Sequence, residues 1–276
     1  MMQKTISCSA RCTGISIDGR VPSTVTFMPA LPGTGIVFIR QDLPGSPRIE
    51  CCTQYARTDS RWTSLVKNEL RIEHTEHLLA AVIGLGIDNI KVCLDGPHIP
   101  VVSNFSSLNF VEALQQAKII EQDKPKKHFV VNQPQWVFDS FRYNGREYES
   151  ILLALPSTEL KVTYLLDYPG RQVPTQAAHF RLNNRQFAEQ LAPARSYIMD
   201  FEYDLVAALI GQSIKDCLVI GQSEINLKWG NEPARHKLLD LMGDLATLGS
   251  PIKGHFIGIR TGHKVNIKMS QKLQGF

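Results

Sequence analysis

The stretch RHKLLDLMGDL, residues 235–245, places His236, Asp240 and Asp244 at four-residue intervals. On a helix that spacing stacks them along one side. With His236 at the origin and about 100° per residue, Asp240 falls at about 40°, Asp244 at about 80°, Lys237 at about 100° and Gly243 at about 340°. Leu238, Leu239, Leu241, Met242, Leu245 and Leu248 fill the remaining arc. A helix so apolar is buried on most sides, so its polar line must face a cleft or buried partners. An imidazole nitrogen and a carboxylate oxygen at i, i+4 can converge on one cation. A solvated stripe with an incidental histidine has the same pattern, and one pair does not decide between them.

A hydrolytic zinc site takes three protein ligands and leaves one position open. HTEH, residues 74–77, is the densest remaining set of ligand types. In a helix His77, His74 and Glu73 would share one side, with Glu76 offset by about 100°. A histidine ligand beside a glutamate suits metal-assisted hydrolysis, because the ion polarises water and the carboxylate takes its proton. A charged helix N-terminus has the same composition. In TGHKVN, strand alternation would put His263, Val265 and Ile267 on one face and Lys264, Asn266 and Lys268 on the other. His263 would then point inward, as a site residue or a hydrogen-bonded core histidine. Lys237 could neutralise an anionic substrate, and Ser196 in APARSYIMD could donate to an oxyanion. Ordinary surface or cap polarity is the alternative for each.

The elements that must position these groups read as a repeated pattern. The chain has 276 residues, enough for one large domain or two ordinary ones. TVTFMP and GIVFIR read as strands, followed by a helix EHTEHLLAAVIGLG ending at Gly84 or Gly86 and a strand IDNIKVCLDG. Residues 107–120 read as a second helix, and EQDKPKKH as a charged linker. FVVNQPQWVF, YESILLALP and LKVTYLLDYP read as strands, and RLNNRQFAEQLAPA as a helix. The 235–245 helix has Asn231 as N-cap, Pro233 in its first turn and Gly249 as its stop. HFIGIR–TG–HKVNIKM reads as a closing hairpin. Strands followed by a helix pair thus occur twice, which predicts two α+β layers of similar build.

Composition excludes several classes. Apolar residues make up 43% and charged residues 20%, as in a globular protein. Net charge is +4, mildly favourable for an anionic ligand, but no Lys/Arg run or aromatic RNA signature points to nucleic acid. Six scattered cysteines form no CxxC pair and read as reduced thiols of a cytoplasmic protein. No signal-peptide or membrane-spanning run is present, and no staple or partner is called for, so a monomer is expected.

EHLLAAVIGLGIDN, APARS, RHKLLDLMGDLATLG and TGHKVN, in that order and spacing, resemble the UDP-3-O-acyl-N-acetylglucosamine deacetylase family, the zinc amidases of lipid A biosynthesis. The resemblance runs from GIVFIRQDL to the C-terminal segment. It implies His77, His236 and Asp240 as Zn2+ ligands and Glu76 as the general base. It also implies His263 as the group that stabilises the oxyanion or protonates the leaving amine, with Asp244 orienting it. Lys237 would sit at the substrate, and Ser196, where the family has Thr, would donate to the oxyanion. The implied fold is α+β: two similar domains, residues 1–122 and 128–276, each a sheet layered with helices, the helices packed between the two sheets. An insert near 197–221 would wall a passage for the acyl chain of an acylated UDP-amino sugar. Three segments depart from the family: CTGISIDG for GxGLHSG, SNFSSL where DGSA is usual, and ARSYIM for ARTFGF. They leave open a related deacetylase for another N-acetyl sugar or amide, or a non-catalytic nucleotide-sugar binder. A metal phosphoesterase would want more carboxylates.

Overall fold

The computed structural model describes residues 1–102, 104–143, 145–168, 173–221 and 226–275. Ser103 of SNFSSL and Pro169 of LKVTYLLDYP lie outside the described residues.

Strand alternation builds the first half. It contains β1 (Met2–Ile6), β2 (Ala10–Ile15), β3 (Pro22–Pro29), β4 (Ile36–Arg40) and β5 (Arg48–Glu50). Three short strands follow: β6 (Ala56–Arg57), β7 (Ser64–Lys67) and β8 (Leu70–Ile72). Then come helix α1 (Glu76–Gly84), β9 (Ile90–Leu94), helix α2 (Leu108–Gln116) and β10 (Ile119–Pro125). In β3 every second residue, Ser23, Val25 and Phe27, is buried, the period-2 pattern of a sheet with one covered face. The second half contains β11 (Phe129–Val130), β12 (Gln135–Tyr143), β13 (Arg146–Leu155), β14 (Leu160–Leu166), β15 (Gln176–Arg181) and a single turn α3 (Asn184–Gln186). Next are β16 (Tyr197–Met199), α4 (Tyr203–Ile210), β17 (Leu218–Ile220), α5 (Glu232–Leu245), β18 (Ile252–Ile259) and α6 (His263–Gln274).

The two main sheets have one topology. The first runs β2-β3-β9-β4-β5, the second β12-β13-β18-β14-β15. In each, two hairpins flank a central strand that is antiparallel to one (β3, β13) and parallel to the other (β4, β14). One helix precedes that central strand and one follows it: α1 and α2 in the first half, α5 and α6 in the second. α5 packs on β14 and β15, α6 on β12 and β13, α2 on β2, and α1 runs against α5. The helices therefore lie between the sheets and share one apolar core. Leu238, Leu239 and Leu241 of α5 are fully buried, each worth about 1.5–3 kcal/mol in transfer from water.

Several local expectations are corrected. The C-terminal hairpin does not exist: residues 263–274 are a helix. Val265, Asn266, Ile267, Met269 and Ser270 are its buried residues, so the apolar spacing of HKVNIKMSQKLQ is helical, and the β-branched Val265 and Ile267 suggested a strand. His263 is the first residue of that helix, not one face of a strand. The charged segment at 121–125 is not a linker but the end of β10, paired with β1 from Ile6↔Ile119 to Met2↔Pro125. The second helix consequently stops at Gln116. Glu73 and His74 precede α1 rather than sharing a helical side with His77, because His74 has φ +63° and breaks the helix there. RLNNRQFAEQLAPA begins in strand β15 and continues as α3 and a π turn, Phe187–Leu191.

Candidate metal centre

The first turn of α1 and the last turn of α5 cross closely, and a glycine permits it. A Cβ on Gly243 would lie 2.0 Å from the Glu76 carbonyl oxygen and 2.7 Å from its carbon. That contact brings His77 beside His236 and Asp240. One ligand atom from each of the three lies within 4.8 Å of the others, and all three residues are buried. His77 Nε2 and His236 Nε2 are each 3.3 Å from Asp240 Oδ1. The other carboxylate oxygen, Oδ2, accepts from Lys237 Nζ at 2.9 Å. His236 Nδ1 donates to the Ala194 carbonyl at 3.1 Å, which leaves Nε2 as the lone-pair nitrogen toward the cluster. Ser107 at the head of α2 holds the His77 carbonyl at 2.6 Å.

Electrostatics prepare these groups as ligands. Burial, against the pull of Asp240, lowers His236 to about 4, so its imidazole is neutral at pH 7. Burial opposes ionisation of Asp240, yet His236 and Lys237 hold it well below the carboxylate range. Two imidazoles and one carboxylate, with a cleft on the open side, are the donor set of a catalytic zinc site. The described residues therefore fit such an ion.

Glu76 stands next to this triad. Its Oε2 accepts from the Thr63 backbone N–H at 3.0 Å, while Oε1 is 3.9 Å from both His74 Nε2 and His263 Nε2. Burial raises its pKa to about 7. His263, at the start of α6, directs Nδ1 to Asp244 Oδ2 at 2.9 Å. Burial disfavours the imidazolium, but Asp244 outweighs it and raises His263 to about 9. Asp244 also accepts from Asn266 Nδ2 at 2.8 Å and from Thr63 Oγ1 at 2.5 Å. The polar line of the 235–245 helix thus divides, His236 and Asp240 toward His77, and Asp244 toward His263.

Thr63 is the residue that sequence reading missed. It is fully buried. Its N–H binds Glu76, its hydroxyl binds Asp244, and its carbonyl accepts from both N and Oγ1 of Thr75. One threonine thereby fixes both carboxylates and the turn before α1. Nothing in SRWTS signals this, because the partners are 13 and 181 residues away. His74, beside His77 with ring centroids 4.7 Å apart, forms a second set of potential ligands with Glu76 and His77.

A cleft opens over the cluster. Ser196 lines it, with its backbone N–H bonded to the Phe105 carbonyl and its carbonyl accepting from Leu218. Lys237 lines it too, its ammonium 5.7 Å from the Tyr197 ring centre. On one side the wall is apolar: Ile17, Phe105, Ile198, Val206 and Ile210 line it and belong to a separate hydrophobic cluster, the last three from the segment 197–221. All eight residues expected from sequence, Glu76, His77, Ser196, His236, Lys237, Asp240, Asp244 and His263, gather here; all but Asp244, which is fully buried behind His263, line the cleft.

Comparison with known proteins is consistent along the whole chain. Residues 3–275 match the family described as UDP-3-O-acyl N-acetylglycosamine deacetylase. A UDP-3-O-acyl-N-acetylglucosamine deacetylase of Bdellovibrio bacteriovorus is 34% identical, over 99% of this chain and 89% of the relative. Proteins of the same name from Thermosynechococcus vestitus and Myxococcus xanthus are 30% and 31% identical. Each aligns with 98% of this chain, covering 93% and 86% of their own lengths.

Proposed function

The chain belongs to the UDP-3-O-acyl N-acetylglycosamine deacetylase family, and we propose on that premise that it removes the N-acetyl group from a UDP-linked, 3-O-acylated N-acetylglucosamine, in the lipid A pathway, with zinc on His77, His236 and Asp240. The carrying observation is the convergence of those three donors within 4.8 Å beside a buried carboxylate and a carboxylate-backed imidazole. A zinc ion there supplies Lewis-acid polarisation of the amide carbonyl and activation of water near neutral pH.

The chain's own residues do the rest. Glu76 takes the proton from the attacking water, for which a pKa near neutrality is suited. Ser196 and the His263 imidazolium donate to the oxyanion of the tetrahedral intermediate. His263 or protonated Glu76 then gives a proton to the departing nitrogen, and the C–N bond breaks to acetate and free amine. Lys237 holds Asp240 ionised and adds positive charge at the cleft. The apolar wall of Ile198, Val206 and Ile210 supports a seat for the acyl chain, and Arg61 at the cleft and the net charge of +4 support an anionic diphosphate. Among the described residues no helix is long and apolar enough to cross a membrane. All six cysteines are unpaired, which fits a reducing compartment, and we assign the reaction to the cytoplasm.

The test is acetate release from acylated and non-acylated UDP-N-acetylglucosamine, before and after chelation and with zinc restored. Turnover of the acylated substrate alone, abolished by chelation and recovered with zinc, is expected. Equal turnover without the acyl chain would instead mark a related deacetylase, prompted by the altered CTGISIDG and ARSYIM segments. Absence of bound zinc together with absence of metal-restored activity would remove the enzyme reading.

A further inference from the structure

The second sheet has two faces, and among the described residues only one is covered. Helices α5 and α6 pack on the face that buries Leu152, Phe256, Val162 and Tyr164. The opposite face carries two unbroken rows across all five strands. Cross-strand register lines up Trp136, Leu153, Ile257, Thr163 and His179 in one row. Phe138, Ile151, Ile259, Leu165 and Ala177 form the next. Trp136 is 50% exposed and Phe138 55%, and no residue of either row is buried. A bare sheet face is normally polar outward. Seven of these ten side chains, all but Thr163, His179 and Ala177, are large and apolar, a patch of the kind that marks an interface.

Charge on either side of these rows says what covers them. Beyond the first row lie Lys161 and Arg181, which share the one carboxylate of Glu159, and Lys253 further along β18. Beyond the second row lie Glu149 and Glu147, with Arg142 opposite Glu147 on β12. One end of the face therefore has an excess of cations and the other an excess of carboxylates. A lipid surface would not select that polarity, but a second copy of the same face does. Rotated by 180° about an axis running along the apolar rows, the copy sets its carboxylate end over the cationic end and its apolar rows over the apolar rows. The area also suits: five strands at about 4.8 Å and the rows from Lys253 to Glu147 at about 6.8 Å enclose of the order of 700 Å², against about 800 Å² per partner in a standard interface.

We infer that the outer face of the second sheet is a homodimer interface, two sheets packed face to face about a two-fold axis along the Trp136 and Phe138 rows, in place of the expected monomer. The site lies on the helix side of that sheet, so the cleft stays open in the dimer.

Light scattering after size exclusion, over a micromolar to near-millimolar series of the full chain, tests this. A concentration-dependent dimer is expected. Phe138→Lys, at a solvent-exposed position that leaves the fold intact by circular dichroism, should raise its dissociation constant by about tenfold or more. Glu147→Lys with Glu149→Lys should weaken the dimer, and adding Lys161→Glu with Arg181→Glu should restore it. A chain monomeric throughout the series, or a dimer indifferent to Phe138→Lys, would overturn the interface. A reversed-charge quadruple variant no tighter than the double variant would overturn the axis.

Discussion

His263 Nδ1 and Asp244 Oδ2 meet at 2.9 Å, across two helices that belong to the same half of the chain. The carboxylate is fully buried and accepts three hydrogen bonds, so it is held in place behind the imidazole. That single pairing converts a histidine that burial would keep neutral into one that stays charged up to about pH 9.

The alkaline side of the rate profile should follow this pair. The imidazolium is present below about 9, so activity that needs it falls as pH rises through about 9. In Asp244→Asn burial is left without its counterweight, and the limb should move to lower pH. The same raised value makes a stability prediction. The contribution is complete below the ordinary 6.5 and is lost as pH climbs through about 9. Thermal melts of the metal-free protein between those values should show the decline in wild type and its loss in Asp244→Asn.

Glu76→Gln should trade rate for stability. Burial disfavours the ionised carboxylate, so the metal-free protein loses stability as pH rises from 4.5 through about 7. The glutamine variant should be the more stable of the two at pH 8. It should still bind zinc and turn over about 10²–10⁴-fold more slowly. Near-normal rates would remove the general-base role.

Asp240→Ala should abolish zinc binding, measured by metal analysis of the purified protein. The variant removes the carboxylate that both His77 and His236 face and leaves Lys237 Nζ without its acceptor. It should fold, because the helix around it is secured by its leucines.

Thr63→Val separates the two carboxylates. Valine keeps the backbone N–H that Glu76 uses but removes the hydroxyl on Asp244. Metal content should be unchanged, stability should fall by about 1–3 kcal/mol, and the alkaline limb should shift while the acid limb does not.

Gly243→Ala should be among the most damaging single-atom additions in the molecule. The new methyl would overlap the Glu76 carbonyl, forcing α1 and α5 apart at a cost of about 1–3 kcal/mol. Zinc affinity should fall with it, although no ligand is altered.

The helices that carry most of the candidate site were legible because they lie on short, strongly patterned segments, whereas the roles of their residues rest on the family resemblance. The leucines and the four-residue spacing of 235–245 describe one helix without reference to anything else, and EHLLAAV does the same for α1. What spacing could not supply was the turn before α1. His74 adopts a left-handed backbone held by tertiary bonds that its neighbours Glu73 and Thr75 donate to the Pro97 and Thr63 carbonyls, which no local propensity encodes. The C-terminal segment failed for a related reason. Val265 and Ile267 favour a strand locally, and only the pocket that buries Val265 and Met269 selects the helix. Likewise β10 is a strand because β1, more than a hundred residues earlier, offers it an edge.

Because α1 and α5 come from opposite halves of the chain, neither half holds the cluster alone. A fragment ending before Asn231 retains His74, Glu76 and His77 but neither His236 nor Asp240. During synthesis the chain therefore has no complete candidate metal site until Asp240, of 276 residues, has emerged and α5 has lain down across α1 at Gly243. A zinc ion held there, as proposed, would report not on either sheet but on their having closed upon each other, and would act as the clasp that keeps a correctly joined molecule from reopening.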